Sequence, residues 1–399
     1  MADLMKSIRT LCQDIGSRPV GSAGNQRAAE YIQEAFAALG LDVELQPFPC
    51  PIWKELRTRL DLVGVKLAAA ANPFSPPGEV SAPAVILSTL AELEAAILSD
   101  CIGVLHGELV QGGLSNRHAA YFPERDRRVL QLLEEKKPAG IVTVSAKTGE
   151  FERILHDWDL AIPSVTVPAE VGLTLLERPG QMLNLRIESQ SEPGEFFNVV
   201  ASQPGRRAEK LLLCAHFDTK HGSPGADDNA SGVAVLLALA ERLAGRELPA
   251  ALEWVAFNGE EAGGLGDVVY IQQRQDEFGQ LLAAINMDGV GSYLGATSVT
   301  GLACSTAMQE AAQALVREHP GATWVDPWYE SNHSTFWPRS VPSLAISTLG
   351  GAQVHHTYAD TLEWISEKRL EAVVDLVEGL VELIQDKPMQ WGREIGNAN

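Results

Sequence analysis

Apolar positions recur at helical spacing over residues 24–39, where Ala28, Tyr31, Ile32, Phe36 and Leu39 fall near one face and Gly40 supplies a stop. Residues 43–48 then alternate like a strand. Beyond Cys50 and Pro51 the pattern changes: residues 72–88 are rich in Pro, Gly, Ser and Ala, and short apolar runs follow at 84–87, 102–105, 141–144 and 162–167. This stretch reads as a mostly β domain over residues 59–190. From Phe197 onward buried-strand and helix patterns alternate. Residues 211–215, 252–257, 283–287 and 343–346 are apolar on both faces, with helical runs at 232–243, 306–318 and 367–385 between and after them. Such alternation predicts an α/β fold: a mixed, largely parallel central sheet flanked by helices, formed by residues 1–58 and 191–399, with the β domain inserted. In such sheets ligands sit outside the carboxyl ends of the strands. No internal repeat is visible, and the tail 387–399 reads as poorly ordered.

Composition narrows the partners. A chain of 399 residues exceeds one ordinary core, which agrees with two domains. The formal net charge of −21 argues against nucleic acid or an anionic membrane as a partner. No apolar run approaches the roughly 18 residues that span a bilayer, and the first residues lack the apolar core of a secretory signal. The five cysteines are scattered without a CxxC pair, which favours a reducing compartment. Cytoplasm is therefore the expectation, with secretion the reading if a leader precedes this sequence.

Candidate chemistry gathers after the predicted strands. His216 ends the run 211–215, and Asp218 two residues on points to the same side of an extended chain, placed to hold the second ring nitrogen. Asp227 and Asp228 precede the helical run at 232. Capping that helix needs one such side chain, so the pair with Asn229 reads better as a carboxylate, Asp228, bridging two metals. Glu260 and Glu261 follow the run 252–257 among glycines. Adjacent side chains diverge, which lets Glu261 ligate while Glu260 faces the water as general base. Asp288 ends another strand, and His356 comes late from a loop. Two histidines and three carboxylates are what a pair of zinc ions needs when one carboxylate bridges. His106, His118, His156 and His319 have no such company and read as solvated side chains, whereas His221 and His333 lie near the predicted site.

These residues resemble the co-catalytic zinc peptidase family of aminopeptidase Y, the bacterial leucyl aminopeptidases, glutamate carboxypeptidase and glutaminyl cyclase. The likeness covers residues 8–58 and 191–385. It rests on His-Phe-Asp at 216–218, Gly-Ala-Asp-Asp-Asn-Ala-Ser-Gly at 225–232, Glu-Glu-Ala-Gly-Gly-Leu-Gly at 260–266, Asn-Met-Asp-Gly at 286–289 and His-Thr-Tyr-Ala-Asp-Thr at 356–361. It implies one metal on His216, Asp228 and Asp288, and another on Asp228, Glu261 and His356. Asp218 would support the ligands and Glu260 would move protons. The insertion is similar to a protease-associated domain. Two positions depart from the family: His355 stands where many members carry a Tyr that holds the substrate carbonyl, and Asn332 stands where Asp is usual. His355 and His333 are thus candidate substrate contacts.

The expected activity is an exopeptidase, foremost an aminopeptidase acting on peptides or amino-acid derivatives. A carboxypeptidase would need a cationic pocket, with Arg274 and Arg339 as candidates. A glutaminyl-cyclase-like acyl transferase works with one metal, and a binding protein on a peptidase scaffold would be free to lose ligands. The inserted domain is a candidate for gating the site, limiting substrate length or joining a homo-oligomer.

Overall fold

The computed structural model describes residues 3–149 and 152–393. The chain divides into two compact units, Met1–Phe48 with Phe196–Asn399, and Pro49–Glu195.

The first unit is built on an eight-stranded sheet in the order Asp42–Pro49, Glu195–Gln203, Ala251–Phe257, Lys210–His216, Leu281–Met287, Ser343–Leu349, Ala296–Leu302, Ala322–Trp324. The four strands at its centre are parallel. Their continuous apolar runs follow from burial on both faces. Leu211, Leu213 and Ala215 enter one core with helices Ala23–Ala38, Ser231–Leu243 and Glu367–Ile384. Leu212 and Cys214 enter the other, with Phe257, Tyr270 and Phe336. The alternation of a strand thus feeds two cores at once. The predicted helix at 24–39 runs from Ala23 to Ala38, capped by Ser22, and Gly40 leaves it at φ +73°.

The second unit also carries an eight-stranded sheet, ordered Val65–Leu67, Ile52–Leu62, Met182–Glu192, Gly78–Leu87, Ile102–Leu105, Gly140–Val144, Ser164–Val167, Ala70–Ala71. Gly78–Leu87 through Ser164–Val167 run parallel, and the long pair Ile52–Leu62 and Met182–Glu192 is antiparallel. Helices Leu90–Ala95, Glu124–Lys136 and Ala169–Leu176 complete the unit. Its long strands alternate charged and apolar residues and escape a search for apolar runs.

The tail is more ordered than expected. Met389–Gly392 is helical, and the Arg393 guanidinium donates to the carbonyls of Ser340, Phe278 and Leu281. Residues 394–399 of that predicted segment lie outside the described residues. Among the described residues no helix is long and apolar enough to cross a membrane.

Candidate metal centre

Strand register assembles the site. His216 pairs with Phe257 across parallel strands, so the loop that follows Phe257 brings Glu260 and Glu261 beside it. Cys214 pairs with Asn286, which sets His216 level with Asp288 two residues later. Asp228 lies in the turn Ala226–Ala230 that leads into helix Ser231–Leu243. That helix approaches the sheet closely at Gly232, where a Cβ would meet the Met287 carbonyl oxygen at 2.3 Å. His356 arrives from the loop after strand Ser343–Leu349, at φ +64°.

The polar atoms form two groups that share one carboxylate. Nε2 of His216 lies 3.3 Å from Oδ1 of Asp228 and 3.3 Å from Oδ1 of Asp288. Nε2 of His356 lies 3.1 Å from Oδ2 of Asp228 and 3.2 Å from Oε2 of Glu261. The two oxygens of Asp228 therefore face opposite groups. Within each group, His216–Asp228–Asp288 and Asp228–Glu261–His356, the candidate ligand atoms lie within 4.8 Å of one another. Glu261 Oε1 and His216 Nδ1 are buried without a hydrogen-bond partner. Imidazole and carboxylate donors in these proportions fit zinc.

Two further carboxylates hold the ligand loops by their backbones. Asp218 accepts hydrogen bonds from the N–H groups of Glu260 and Glu261, each at 3.1 Å, and its Oδ1 lies 3.6 Å from Nδ1 of His216. Asp360 does the same for Asp227 and Asp228, at 2.7 and 3.0 Å. Its position in the His-Thr-Tyr-Ala-Asp-Thr segment was visible in the sequence, but its partners were not.

So many acids in a buried place repel one another, and the pKa directions record how the cluster answers. Burial alone would lower His216, but the Asp288 and Glu260 charges with the Asp218 and Asp228 contacts hold it well above its ordinary value. Burial would raise Asp228, yet its bonds to His216 and His356 hold it well below. Glu260, half-buried, is raised by desolvation and by its neighbours Glu261, Asp288 and Asp218, against the pull of His216. Asp360 is pushed up to about 7 by burial and by Asp228, against the two backbone N–H bonds. The cluster is short of positive charge, and divalent cations supply it most directly.

The candidate substrate contacts already have protein partners. His355 places Nε2 3.0 Å from Oδ2 of Asp227 and Nδ1 3.9 Å from Oδ2 of Asp228. His333 is fully buried, with Nε2 2.9 Å from the Trp328 carbonyl. Arg274 pairs with Glu44 and Glu277, and Arg339 donates to the Thr335 carbonyl over the Phe278 ring. Neither arginine joins the ligand cluster. Lys220 does approach it, donating to the Glu261 carbonyl at 2.6 Å.

Asn332 finds its reason in Asp267. The Asn332 amide donates to both carboxylate oxygens of Asp267, at 3.1 and 3.0 Å, and the Thr335 hydroxyl donates to one of them. Asp267 is fully buried. An Asp at 332 would set two carboxylates against each other in that place, whereas an amide supplies the missing donors.

Residues 198–381 match the model of peptidase family M28. Aminopeptidase YwaD of Bacillus subtilis (strain 168) is 23% identical over 94% of this chain and 83% of its own length. Leucine aminopeptidase 2 of Trichophyton rubrum is 26% identical over 69% of this chain, which spans 55% of that protein. Among solved structures, BSAP, a zinc aminopeptidase from Bacillus subtilis, aligns with a TM-score of 0.76 at 21% identity, covering 98% of this chain and 97% of its own. The aminopeptidase from Aneurinibacillus sp. strain AM-1 aligns at 0.74 and 21% identity, covering 96% and 93%. The chain shares the fold of these two solved structures, and its residues 198–381 resemble peptidase family M28.

Proposed function

We propose that this chain is a zinc-dependent aminopeptidase that removes residues from the N-termini of peptides. The observation that carries the reading is the division of Asp228, one oxygen toward His216 and Asp288 and the other toward His356 and Glu261. His216, Asp228 and Asp288 would hold one zinc ion, and Asp228, Glu261 and His356 a second. Such ions, when bound, polarise a carbonyl and make water a nucleophile at neutral pH.

The chain's own residues do the rest. Glu260 stands beside a ligand but diverges from it, and its half-buried carboxylate takes the proton of the attacking water and delivers it to the leaving amine nitrogen. Asp218 fixes the Glu260 and Glu261 backbone and the His216 ring together, so base and ligand keep one geometry. His355 braces Asp227 and Asp228 from the far side. With the ligand carboxylates matched by the ions, the carboxylates left beside the cluster, Glu260 and Asp218, suit a substrate's ammonium end better than its carboxylate end. Together with the engagement of Arg274 and Arg339 elsewhere, this favours an aminopeptidase over a carboxypeptidase. The aminopeptidase names of the relatives support the same choice. The unit Pro49–Glu195 is read as an inserted module that supplies none of these groups.

The test is mass spectrometry of a mixed pool of unblocked peptides incubated with zinc-loaded protein. Stepwise shortening from the N-terminus is expected, and an untouched pool from metal-loaded protein would sink the reading. Glu260→Ala should keep its zinc and lose roughly 10²–10⁴-fold in kcat, the range for a general base. Near-normal turnover in that variant would remove the base from Glu260.

A further inference from the structure

One arginine is buried behind the candidate ligand loops with no carboxylate partner among the described residues. Arg18 is fully buried, and every hydrogen bond of its guanidinium goes to a backbone carbonyl. Nε donates to Phe217 at 2.5 Å, Nη1 to Pro224 at 2.6 Å and Nη2 to Gly225 at 2.9 Å. Longer bonds from Nη1 reach Leu11 at 3.3 Å and Gly16 at 3.5 Å. Its own N–H donates to the Thr219 hydroxyl at 3.0 Å.

The choice of carbonyls is informative. Phe217 directly follows His216, and Pro224 and Gly225 come just before Asp227 and Asp228. A single planar fork therefore grips both ends of the loop that joins two candidate ligands. Gly225 sits at φ +60°, and a Cβ there would lie 2.3 Å from Thr219 Cγ2 and 3.2 Å from Nη2 of Arg18, so the loop closes tightly on the fork.

The same segment reaches the other ligand loop. The Arg18 carbonyl accepts from Nδ2 of Asn25, and Asn25 and Asn258 exchange two amide bonds of 2.8 Å each. Asn258 stands two residues before Glu260. Arg18, Asn25 and Asn258 are all fully buried. Buried polar groups that satisfy one another this completely fix a unique geometry.

We infer that Arg18 is a positioning residue of the metal centre: its guanidinium sets the separation of His216 and Asp228 by holding both ends of the loop between them. The argument rests on the metal reading above. Burial pulls Arg18 down to about 10, which leaves it a cation at neutral pH, and Asp360, Asp218 and Asp228 lie near enough to favour that charge. Lysine keeps the charge but replaces the fork by one nitrogen, so it separates geometry from electrostatics.

The experiment is competition for zinc between a fluorescent chelator and the protein, run on the parent and on Arg18→Lys, with the thermal midpoint of each chelated protein measured beside it. Supporting groups of this kind typically contribute about 10–100-fold in metal affinity. The expected result is a loss in that range for Arg18→Lys at a temperature where the chelated variant is folded. A merely structural arginine would lower the midpoint and leave zinc affinity within about twofold of the parent, and that outcome overturns the inference. Should Arg18→Lys not fold, Gly225→Ala keeps the arginine and pushes the loop off the fork. It must lose zinc affinity likewise, and unchanged affinity there overturns the inference too. A parent that takes no zinc overturns the metal reading and this inference with it. A parent that takes two beside an equally competent Arg18→Lys overturns this inference alone.

Discussion

His216 and His106 occupy the same kind of place. Each stands at the carboxyl end of an apolar strand near the centre of an eight-stranded sheet, with parallel strands on both sides. At His216 the neighbouring strand ends deliver Asp288 and Glu261, and turns bring Asp228 and His356 to the same point. At His106 the chain instead enters the short helix Gly107–Val110, and the adjacent strands, Gly78–Leu87 and Gly140–Val144, are followed by Ser88 and Ser145. No candidate metal group includes His106 among the described residues. The carboxyl end of a parallel sheet is thus an opportunity for a site, and what converges there decides whether one exists.

The largest effect tests that contrast directly. His216→Ala should lose roughly 10³-fold or more in kcat/KM and release zinc, because the group on that side of Asp228 loses its one imidazole; about 4 kcal/mol of transition-state stabilisation corresponds to that factor. His106→Ala should stay within about twofold of the parent. Equal losses in steady-state kinetics would break the comparison and give the second unit a part in the chemistry.

How far the sequence reached follows the same division. The four parallel strands were legible because burial on both faces leaves continuous apolar runs, and the candidate ligands were legible because acids and histidines directly after such runs are unusual. Of the supporting groups Asp218 was legible, and the others were not. Arg18 and Asn25 flank a helix start and look like ordinary solvated positions, since nothing local says that the segment packs behind the ligand loops. Asp267 looks like a helix-end acid, and only its contact with Asn332 explains both residues. Strands Ile52–Leu62 and Met182–Glu192 carry too many charges to read as apolar runs. Their pairing with each other is long-range information.

A smaller effect contrasts one buried polar group from each unit. In the second unit Asn72 accepts from Thr166, Ile154 and Leu155, a network of neutral donors and acceptors that no pH change disturbs. In the first, Asp267 is fully buried with neutral partners only. Burial pushes it from 3.8 up to about 6, against its bonds to Thr335 and Asn332. Because the folded value is the higher one, the contribution to stability is fully present below pH 3.8 and is lost as pH rises through about 6. Asp267→Asn removes the ionisation. Between about pH 4 and 8 the parent should therefore lose roughly 2 kcal/mol relative to the variant, from the linkage of a shift this size. Urea unfolding across that range is the measurement, and a pH-independent difference would show that Asp267 does not carry the charge cost assigned to it.

The smallest effect lies at the far extreme, in a turn of the second unit. Val63 and Gly64 join strands Ile52–Leu62 and Val65–Leu67 with φ of +49° and +80°. A two-residue hairpin turn with both φ positive suits Asn-Gly, and a β-branched residue at its first position is strained. Val63 is 66% exposed, so little packing offsets that strain. Val63→Asn should raise stability by about 1 kcal/mol, the scale of a relieved left-handed residue. It should leave zinc affinity and turnover untouched, since the turn carries none of the proposed ligands. Differential scanning calorimetry with parallel kinetics checks both halves. A variant no more stable than the parent would mean that Val63 is held by contacts worth more than its strain. A change in turnover would tie the inserted sheet to the chemistry that His216 and its neighbours are here given alone.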